Sequence, residues 1–397
     1  MVSASKSQIA SGPIRLGMVG GGQGAFIGGV HRIAARMDGE FQLVAGALSS
    51  DARRAAVSAA ELGIDPERSY VSFAAMAEAE AKREDGIEAV AIVTPNHVHF
   101  PAAKAFLEAG IHVICDKPLT STLADAKKLA ALVKQSGRLF VLTHNYTGYP
   151  MVRQARDMVA KGKLGHIRLV HAEYPQDWLT EKAEDSGSKQ AAWRTDPKKS
   201  GAGGATGDIG THAYNLVRFV SGLELDALSA DLDAFVKSRR VDDNAHIMLR
   251  FKKRGATPAA KGMIWASQVA PGNENALKLR IYGDKGGLEW EQEHPNHLWH
   301  TPFGEAKRLV TRGGAGAGAA ANRVSRIPPG HPEGYLEGFA NIYAEAARAI
   351  RAARSKGGKP DKAVIYPGVA DGLEGVAFVD ACVRSSKADA KWTRLDL

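Results

Sequence analysis

Three side chains in this sequence are of types that move protons and steer hydroxyl groups. Lys117 follows the short apolar run Val113-Ile114-Cys115 and an acid, Asp116, and it precedes Pro118. Proline cannot donate to a sheet ladder, so the strand ends there. A lysine at the C-terminal end of a strand in an open α/β sheet stands where ligands bind. The plainer reading is a surface lysine after an edge strand. Asp208 and His212, in Gly207-Asp208-Ile209-Gly210-Thr211-His212, are four apart and on a helix share one face. A carboxylate and an imidazole presented together suit hydroxyl binding and proton transfer. They also suit a metal, yet no third ligand stands out at metal spacing. The structural alternative is an Asp cap with a bystander His.

These groups need elements to position them. Ile14–Val19 reads as a buried strand that runs into Gly20-Gly21-Gly22-Gln23-Gly24-Ala25, and a helical pattern follows over Phe26–Met37. Strand, glycine turn and helix form the context of a dinucleotide fingerprint, in which backbone approaches a pyrophosphate at a helix N-terminus. Gly20, Gly22, Gln23, Gly24, Ala25 and Phe26 are the cofactor candidates there. Strand patterns at 41–48, 88–93, 113–116 and 139–143 alternate with helical ones at 51–62, 101–109 and 123–135. The alternation predicts a doubly wound parallel sheet over residues 13–148. Thr94, Pro95, Asn96 and His99 follow the strand ending at Val93, at the sheet's C-terminal edge. Asn96 reads equally as a helix cap. Asn145 and Tyr146 follow the strand at 139–143 and are cofactor and substrate candidates.

From residue 149 to 397 the pattern becomes α+β. A helix at 151–161, a strand at 166–174, a polar loop at 180–206 and a helix at 208–220 are expected. Strand segments at 227–236, 245–251, 262–267, 277–282 and 287–290 are close in sequence, which predicts an open, mostly antiparallel sheet. The Gly- and Ala-rich stretch 313–321 reads as a flexible loop, and helices at 334–353 and 369–385 close the chain.

Composition bounds the function. The 397 residues suit two domains, and 44% hydrophobic with 24% charged content is that of a globular protein. A net charge of +9 admits nucleic acid, but the basic residues are scattered without an aromatic–basic signature, so none is expected as a partner. No apolar run approaches the roughly 20 residues of a spanning helix, so no membrane partner is expected either. The two cysteines, Cys115 and Cys382, fit a reducing compartment. Residues 1–12 show no apolar segment or twin arginine, and are expected to be a disordered lead-in to a cytoplasmic protein.

In combination these motifs resemble the Gfo/Idh/MocA family of oxidoreductases, named for glucose–fructose oxidoreductase, inositol dehydrogenase and rhizopine catabolism. The likeness rests on the glycine turn, Thr94-Pro95-Asn96 with His99, Ala109 through Leu119, and Gly204 through His212, and spans about residues 14–385 in order. It implies a Rossmann domain, NAD or NADP as cofactor, and a sugar or polyol substrate. It implies Lys117 between nicotinamide and substrate, with Asp208 and His212 binding and deprotonating a substrate hydroxyl. It also implies a homodimer or homotetramer paired through the open sheet. Trp178, Trp193, Arg194 and His331 are added as substrate candidates, since sugar faces pack on aromatic rings; for the two tryptophans core packing is the alternative.

The sequence departs from the family pattern in three places. Asp116 stands where the family has Glu. Gly28 and His31 are the displaced equivalents of a Gly-x-x-His, unless Ala25 is the third small residue. Leu48 occupies the place of the ribose-binding acid, followed by Ser49, Ser50, Asp51, Arg53 and Arg54. Without that acid, NADP is expected to be accepted through Ser49, Ser50 and Arg53 or Arg54. The expected function is an NAD(P)-dependent dehydrogenase of a secondary alcohol. An NAD-dependent glycosidase and a nucleotide-sensing binding protein are the other classes kept open.

Overall fold

The computed structural model describes residues 12–253, 255–354 and 358–397, so all but the last residue of the expected lead-in lies outside the described residues. Strands β1 (Ile14–Gly20), β2 (Phe41–Ala47), β3 (Ala89–Val93), β4 (His112–Cys115) and β5 (Phe140–Leu142) form a sheet in the order β2-β1-β3-β4-β5. All of its pairs are parallel. Every residue of β3 is buried, as a central strand covered on both faces must be. Helices α1 (Phe26–Met37), α2 (Ala52–Glu61), α3 (Phe73–Lys82), α4 (Asn96–Glu108) and α5 (Leu123–Ser136) connect the strands. Helix α4 begins five residues before the expected start at Pro101, which it carries inside. Helix α3, with Ser72 accepting from Ala75 N–H as its cap, was not among the expected elements.

The second half opens with α6 (Pro150–Ala160) and β6 (Ile167–Pro175). The expected long loop at 180–206 contains two short helices, α7 (Lys189–Arg194) and α8 (Pro197–Ser200). Ser188 and Asp196 cap them through their side chains, which is how a polar stretch supports short helices. A π-helical turn, Thr206–Gly210, leads into α9 (Thr211–Ser221). There follow β7 (Leu225–Asp233), β8 (Asn244–Phe251), β9 (Lys261–Ser267), β10 (Lys278–Gly283), β11 (Gly286–Glu291), β12 (His297–Pro302) and β13 (Arg308–Thr311). With β6 they make an eight-stranded sheet, β13-β12-β11-β10-β6-β9-β8-β7. It is antiparallel except for the pair β6–β9. Strands β12 and β13 were not expected from the pattern. They are the last two strands at one end of the sheet, with mostly partly exposed side chains, and they lack a clean alternation.

One face of the second sheet packs against α6 and α9, with Tyr149, Val152, Tyr214 and Val217 meeting Val170, Ile247, Ile264 and Leu279. Across the other face a single in-register row runs Met248, Met263, His171, Arg280, Glu289, Trp299, Leu309. Met248, Met263, Trp299 and Leu309 are exposed in that row.

The last helices tie the halves together. After α10 (Ala319–Asn322), helix α11 (Tyr335–Ala353) lays Phe339, Tyr343, Ala346, Ala347 and Ile350 onto the first sheet, beside Ile14, Val30, Phe41 and Ile114. These positions recur at helical spacing and form one apolar stripe. A helix that follows the second sheet in sequence thus completes the core of the first. Helix α12 (Val369–Lys387) spans both cores. Val376 packs in the first with Leu119 and Leu142, and Phe378, Ala381 and Cys382 pack in the second. Gly372 sits where a Cβ would come within 2.8 Å of the Leu119 Cβ, so the helix lies hard against the end of the Lys117 segment. No helix among the described residues is long and apolar enough to cross a membrane.

Candidate active site

A cleft of about 890 Å³ runs from the glycine turn, past the C-terminal ends of β3 and β4, to α9 and the second sheet. At the turn, Gly20, Gly21 and Gly24 have φ of 78°, 74° and 77°, the left-handed region that favours glycine. A Cβ on Gly28 would lie 2.4 Å from the Gly21 Cα. Gly28 is therefore the small residue that lets α1 approach the turn, which settles the choice between it and Ala25. Gly20, Gln23, Gly24, Ala25 and Phe26 line the cleft. Gly22 does not, because it faces Leu48 O and the Ser58 hydroxyl behind the turn.

The loop after β2 corrects part of the sequence reading. Ser49, Ser50 and Arg53 are not on the cleft wall. Ser49 Oγ accepts from Asp51 N–H, and Asp51 caps α2 by accepting from Arg54 N–H at 2.7 Å. Arg54, one residue and about 100° further round the helix than Arg53, is the cation on the wall, with its guanidinium donating to Gln23 O at 3.3 Å. The acid of this loop, Asp51, uses Oδ1 as the cap of α2, and Leu48 is buried.

At the middle of the cleft stand Thr94, Pro95, Asn96, Asp116 and Asn145. Asn96 is not a cap. It is the first residue of α4, and its side-chain amide donates to Ser200 O at 2.9 Å, fastening α8 to the first sheet. His99 lies behind the wall, not on it. Its ring nitrogens face Pro118 O at 2.7 Å and Thr94 O at 2.9 Å, joining the ends of β3 and β4. Asp116 accepts from the Thr143 hydroxyl at 3.0 Å and faces His31 Nε2 at 3.9 Å. Burial pushes its carboxyl up, but the facing His31 ring and the Lys117 ammonium outweigh it and hold the value well below the usual range. The Thr94 hydroxyl and the Asn145 amide nitrogen are buried without a hydrogen-bond partner. Such groups are costly unless a ligand or water satisfies them.

The far end gathers the proton-transfer candidates. Lys117 Nζ donates to the Asp208 carbonyl and to its Oδ1, each at 2.7 Å. Asp208 Oδ2 accepts from Arg194 Nε at 3.2 Å and from the Gln268 amide at 2.9 Å. The π-helical turn that presents Asp208 is held by a second acid. Asp242 accepts from Gly204 N–H, Thr206 N–H and the Thr206 hydroxyl at 2.7 to 2.8 Å. Single π-turns of this kind are frequent at functional sites. Burial raises the Asp208 carboxyl, but the charges of Lys117 and Arg194 overcome that and leave it well below the usual range.

His212 is buried on the same wall. Burial first, then Lys117 and His144, depress its pKa well below 6.5, so the ring is neutral near pH 7. Its Nδ1 faces His144 Nδ1 at 3.5 Å, and Tyr146 and Tyr174 lie edge-on to it at 4.9 and 6.3 Å. The two phenol oxygens are 2.5 Å apart, and Tyr174 OH donates to Asn275 Oδ1 at 2.7 Å. Trp178 and Trp193 are on the rim, with Arg194 4.3 Å over the Trp193 ring.

His331 is not in the cleft. It is exposed, in a loop held by Arg312, which donates to its backbone carbonyl. The helix N-terminus it precedes is at the cleft, but Tyr335 is the residue there that reaches the wall. Gln176, Tyr174, Gln268, Asn275 and Gln292 were not foreseen. None of them belongs to a local motif, and only the folding of the second sheet brings them here; Arg54 was foreseen as the alternative to Arg53. Among the described residues no group of three or more His, Cys, Asp or Glu side chains could hold a metal ion.

Residues 14–146 match the family model described as "Oxidoreductase family, NAD-binding Rossmann fold", and residues 152–289 match the GFO/IDH/MocA C-terminal domain. The chain belongs to the GFO/IDH/MocA oxidoreductase family. It is 36% identical to the oxidoreductase YfiI of Bacillus subtilis (strain 168), over 97% of this chain and 98% of that protein. The crystal structure of an oxidoreductase from Sinorhizobium meliloti is 63% identical, with a TM-score of 0.88, covering 97% of this chain and 100% of that one. An inositol dehydrogenase homologue from Azotobacter vinelandii, solved with NADH and myo-inositol, is 36% identical with a TM-score of 0.89, covering 97% and 98%. This chain is an NAD(P)-dependent oxidoreductase. The left-handed glycine turn, the Arg54 wall and the unpartnered groups of Thr94 and Asn145 fit a dinucleotide along the cleft.

The buried histidines set a pH dependence. His99, His144 and His212 all have folded pKa values below 6.5, with burial the main cause. The unfolded chain binds more protons than the native one as pH falls through 6.5, so stability decreases there. The melting temperature is expected to fall from pH 7.5 toward pH 5, and less steeply in a His144→Asn variant. A flat profile for the unaltered protein would contradict the neutral assignment.

Proposed function

We propose that this enzyme transfers a hydride between the nicotinamide of NAD(P) and a secondary alcohol of a sugar, inositol or sugar derivative. One observation carries the reading. Lys117, at the end of β4, and Asp208 and His212, 91 or more residues later, converge on one wall of the cleft that begins at the glycine turn. When bound, the nicotinamide supplies or takes the hydride. His212 Nε2, the ring nitrogen not facing His144, accepts the hydroxyl proton as hydride leaves. Lys117 uses two N–H groups on Asp208, and the third is left for the substrate oxygen, where negative charge develops. Asp208 holds the ammonium in place and orients neighbouring hydroxyls.

The rest of the wall supports a neutral polyol. The cations Lys117 and Arg194 are matched by the carboxylates of Asp208 and Asp116, so no spare charge on this part of the wall invites an anionic substrate. Tyr146, Trp178, Trp193 and the amides of Gln176, Asn275 and Gln292 offer apolar faces and directional polar groups. Gly20, Gln23, Gly24, Ala25, Phe26, Thr94, Pro95, Asn96, Asp116 and Asn145 form the cofactor side, with Arg54 near the adenosine end. The uncovered face of the second sheet, with Met248, Met263, Trp299 and Leu309 exposed, is the surface through which copies pair as a dimer or tetramer. The inositol-bound relative supports the polyol class.

The reaction is tested by screening sugars and inositols for a change in absorbance of the reduced cofactor. His212→Ala is expected to lower kcat by about 10²- to 10⁴-fold with cofactor affinity retained, and Lys117→Ala at least as much. Near-normal turnover in folded His212→Ala protein would end the assignment. For the cofactor, NADP is expected to be accepted, and Arg54→Ala to lower kcat/KM for NADP far more than for NAD. An equal effect on both cofactors would remove Arg54 from that role. For the assembly, light scattering at micromolar concentration is expected to give a dimer or tetramer mass that Met263→Glu reduces; a monomer in the unaltered protein sinks the idea.

A further inference from the structure

The geometry points to His144 as a positioning residue for the reaction, accepting a hydrogen bond from His212 Nδ1–H and so fixing the tautomer that leaves Nε2 as the base. This rests on the reading of His212 as the base. His144 does not line the cleft and is 2% exposed. Its backbone is anchored on both sides. Its N–H donates to Leu142 O at 2.9 Å, and its carbonyl accepts from the Thr147 N–H at 3.1 Å and from the Thr147 hydroxyl at 2.8 Å. The ring therefore has a fixed origin at the end of β5. It meets His212 edge-on, with centroids 5.3 Å apart, planes at 85°, and the two Nδ1 atoms 3.5 Å apart. That distance is long for a hydrogen bond, but catalytic contacts often tighten only when substrate is bound.

Two neutral imidazoles facing through Nδ1 have two possible arrangements, because each ring carries one N–H. If the proton is on His144 Nδ1, then His212 carries its own on Nε2 and cannot accept one from a substrate hydroxyl. If it is on His212 Nδ1, the Nε2 lone pair is free. Only the second arrangement serves alcohol oxidation. It also strengthens during the reaction, since an imidazolium is a better donor than a neutral ring. An interaction that grows as His212 takes its proton stabilises the transition state more than the ground state. His144 must stay neutral to accept. The groups that face the two rings are the Lys117 ammonium, the carboxylates of Asp116 and Asp208, and the phenols of Tyr146 and Tyr174. Burial, then Lys117, lowers the His144 pKa to about 3, which leaves it neutral at working pH.

The test uses three variants of the full-length enzyme, assayed for kcat, KM and cofactor affinity, with melting temperatures on the same samples. His144→Phe keeps the ring and removes the acceptor. His144→Asn places an amide oxygen where Nδ1 stood. We expect His144→Phe to lower kcat by about 10- to 100-fold, part of the ~10²- to 10⁴-fold that a positioned base supplies, with KM and cofactor affinity little changed. His144→Asn is expected to recover most of that loss. Where His144→Phe does not fold, His144→Gln serves, since its amide reaches one bond further and misses the place of Nδ1. Equal kcat in His144→Asn and in the variant without the acceptor overturns the inference, as does full kcat in His144→Phe. The third variant, His212→Ala, separates the two readings. Retained turnover there defeats the base assignment itself, whereas lost turnover with indifferent His144 variants defeats only the role of His144.

Discussion

Both oxygens of the Asp208 carboxylate are occupied by groups drawn from separate parts of the chain. Oδ1 takes Lys117 from the end of β4, and Oδ2 takes Arg194 from α7 and Gln268 from the end of β9. The lysine also takes the Asp208 carbonyl. A carboxylate that is mostly buried must be paired, and breaking one partner of such a pair costs roughly 3–5 kcal/mol. The cleft between the two sheets is therefore fastened at the place where the proposed chemistry would occur. The same contact fixes the ammonium beside His212, whose pKa is depressed by burial first and then by that charge.

Much of the surrounding structure supports that contact. The π-helical turn places Asp208 because Asp242 satisfies the backbone of Gly204 and Thr206 from below. His99 is wedged between the Pro118 and Thr94 carbonyls and donates to one of them, which packs the Lys117 segment beside the Thr94 segment. Asn96 reaches Ser200 and ties α8 to the first sheet. Helix α12 packs Gly372 against Leu119 and then enters the second core with Phe378. These are polar or close-packed contacts between distant segments; the Asn96 bond and α12 restrain one side of the cleft relative to the other, and His99 and Asp242 hold each side in shape.

The elements were legible where a local period was strong. The buried run Ala89–Val93, the glycine turn and the alternation in β8 each state their own structure. Lys117, Asp208 and His212 were legible as well, because strand ends and a helical i, i+4 pair are local features. The misses follow a different pattern. Arg54, and not Arg53, faces the cofactor loop because the helix begins at Ala52 and rotates one of the two inward. His331 was attractive by type, but its loop is held elsewhere by Arg312. Tyr174, Gln268 and Asn275 lie on or beside strands with no motif, and nothing nearby in sequence distinguishes them from other polar strand residues.

By itself the sequence determined the class of fold, the place of the dinucleotide turn and the identity of the central lysine, aspartate and histidine. Each depends on interactions within a few residues, such as a period, a cap or a turn that only glycine adopts. Tertiary structure alone decided which side chains share a wall with them. That holds for His144 facing His212, separated by 68 residues, and for α11 completing a core begun more than 300 residues earlier. Those pairings arise because apolar stripes must be covered and buried polar groups must find partners, and many partners of equal local quality exist along the chain. Choosing among them is a property of the packed whole.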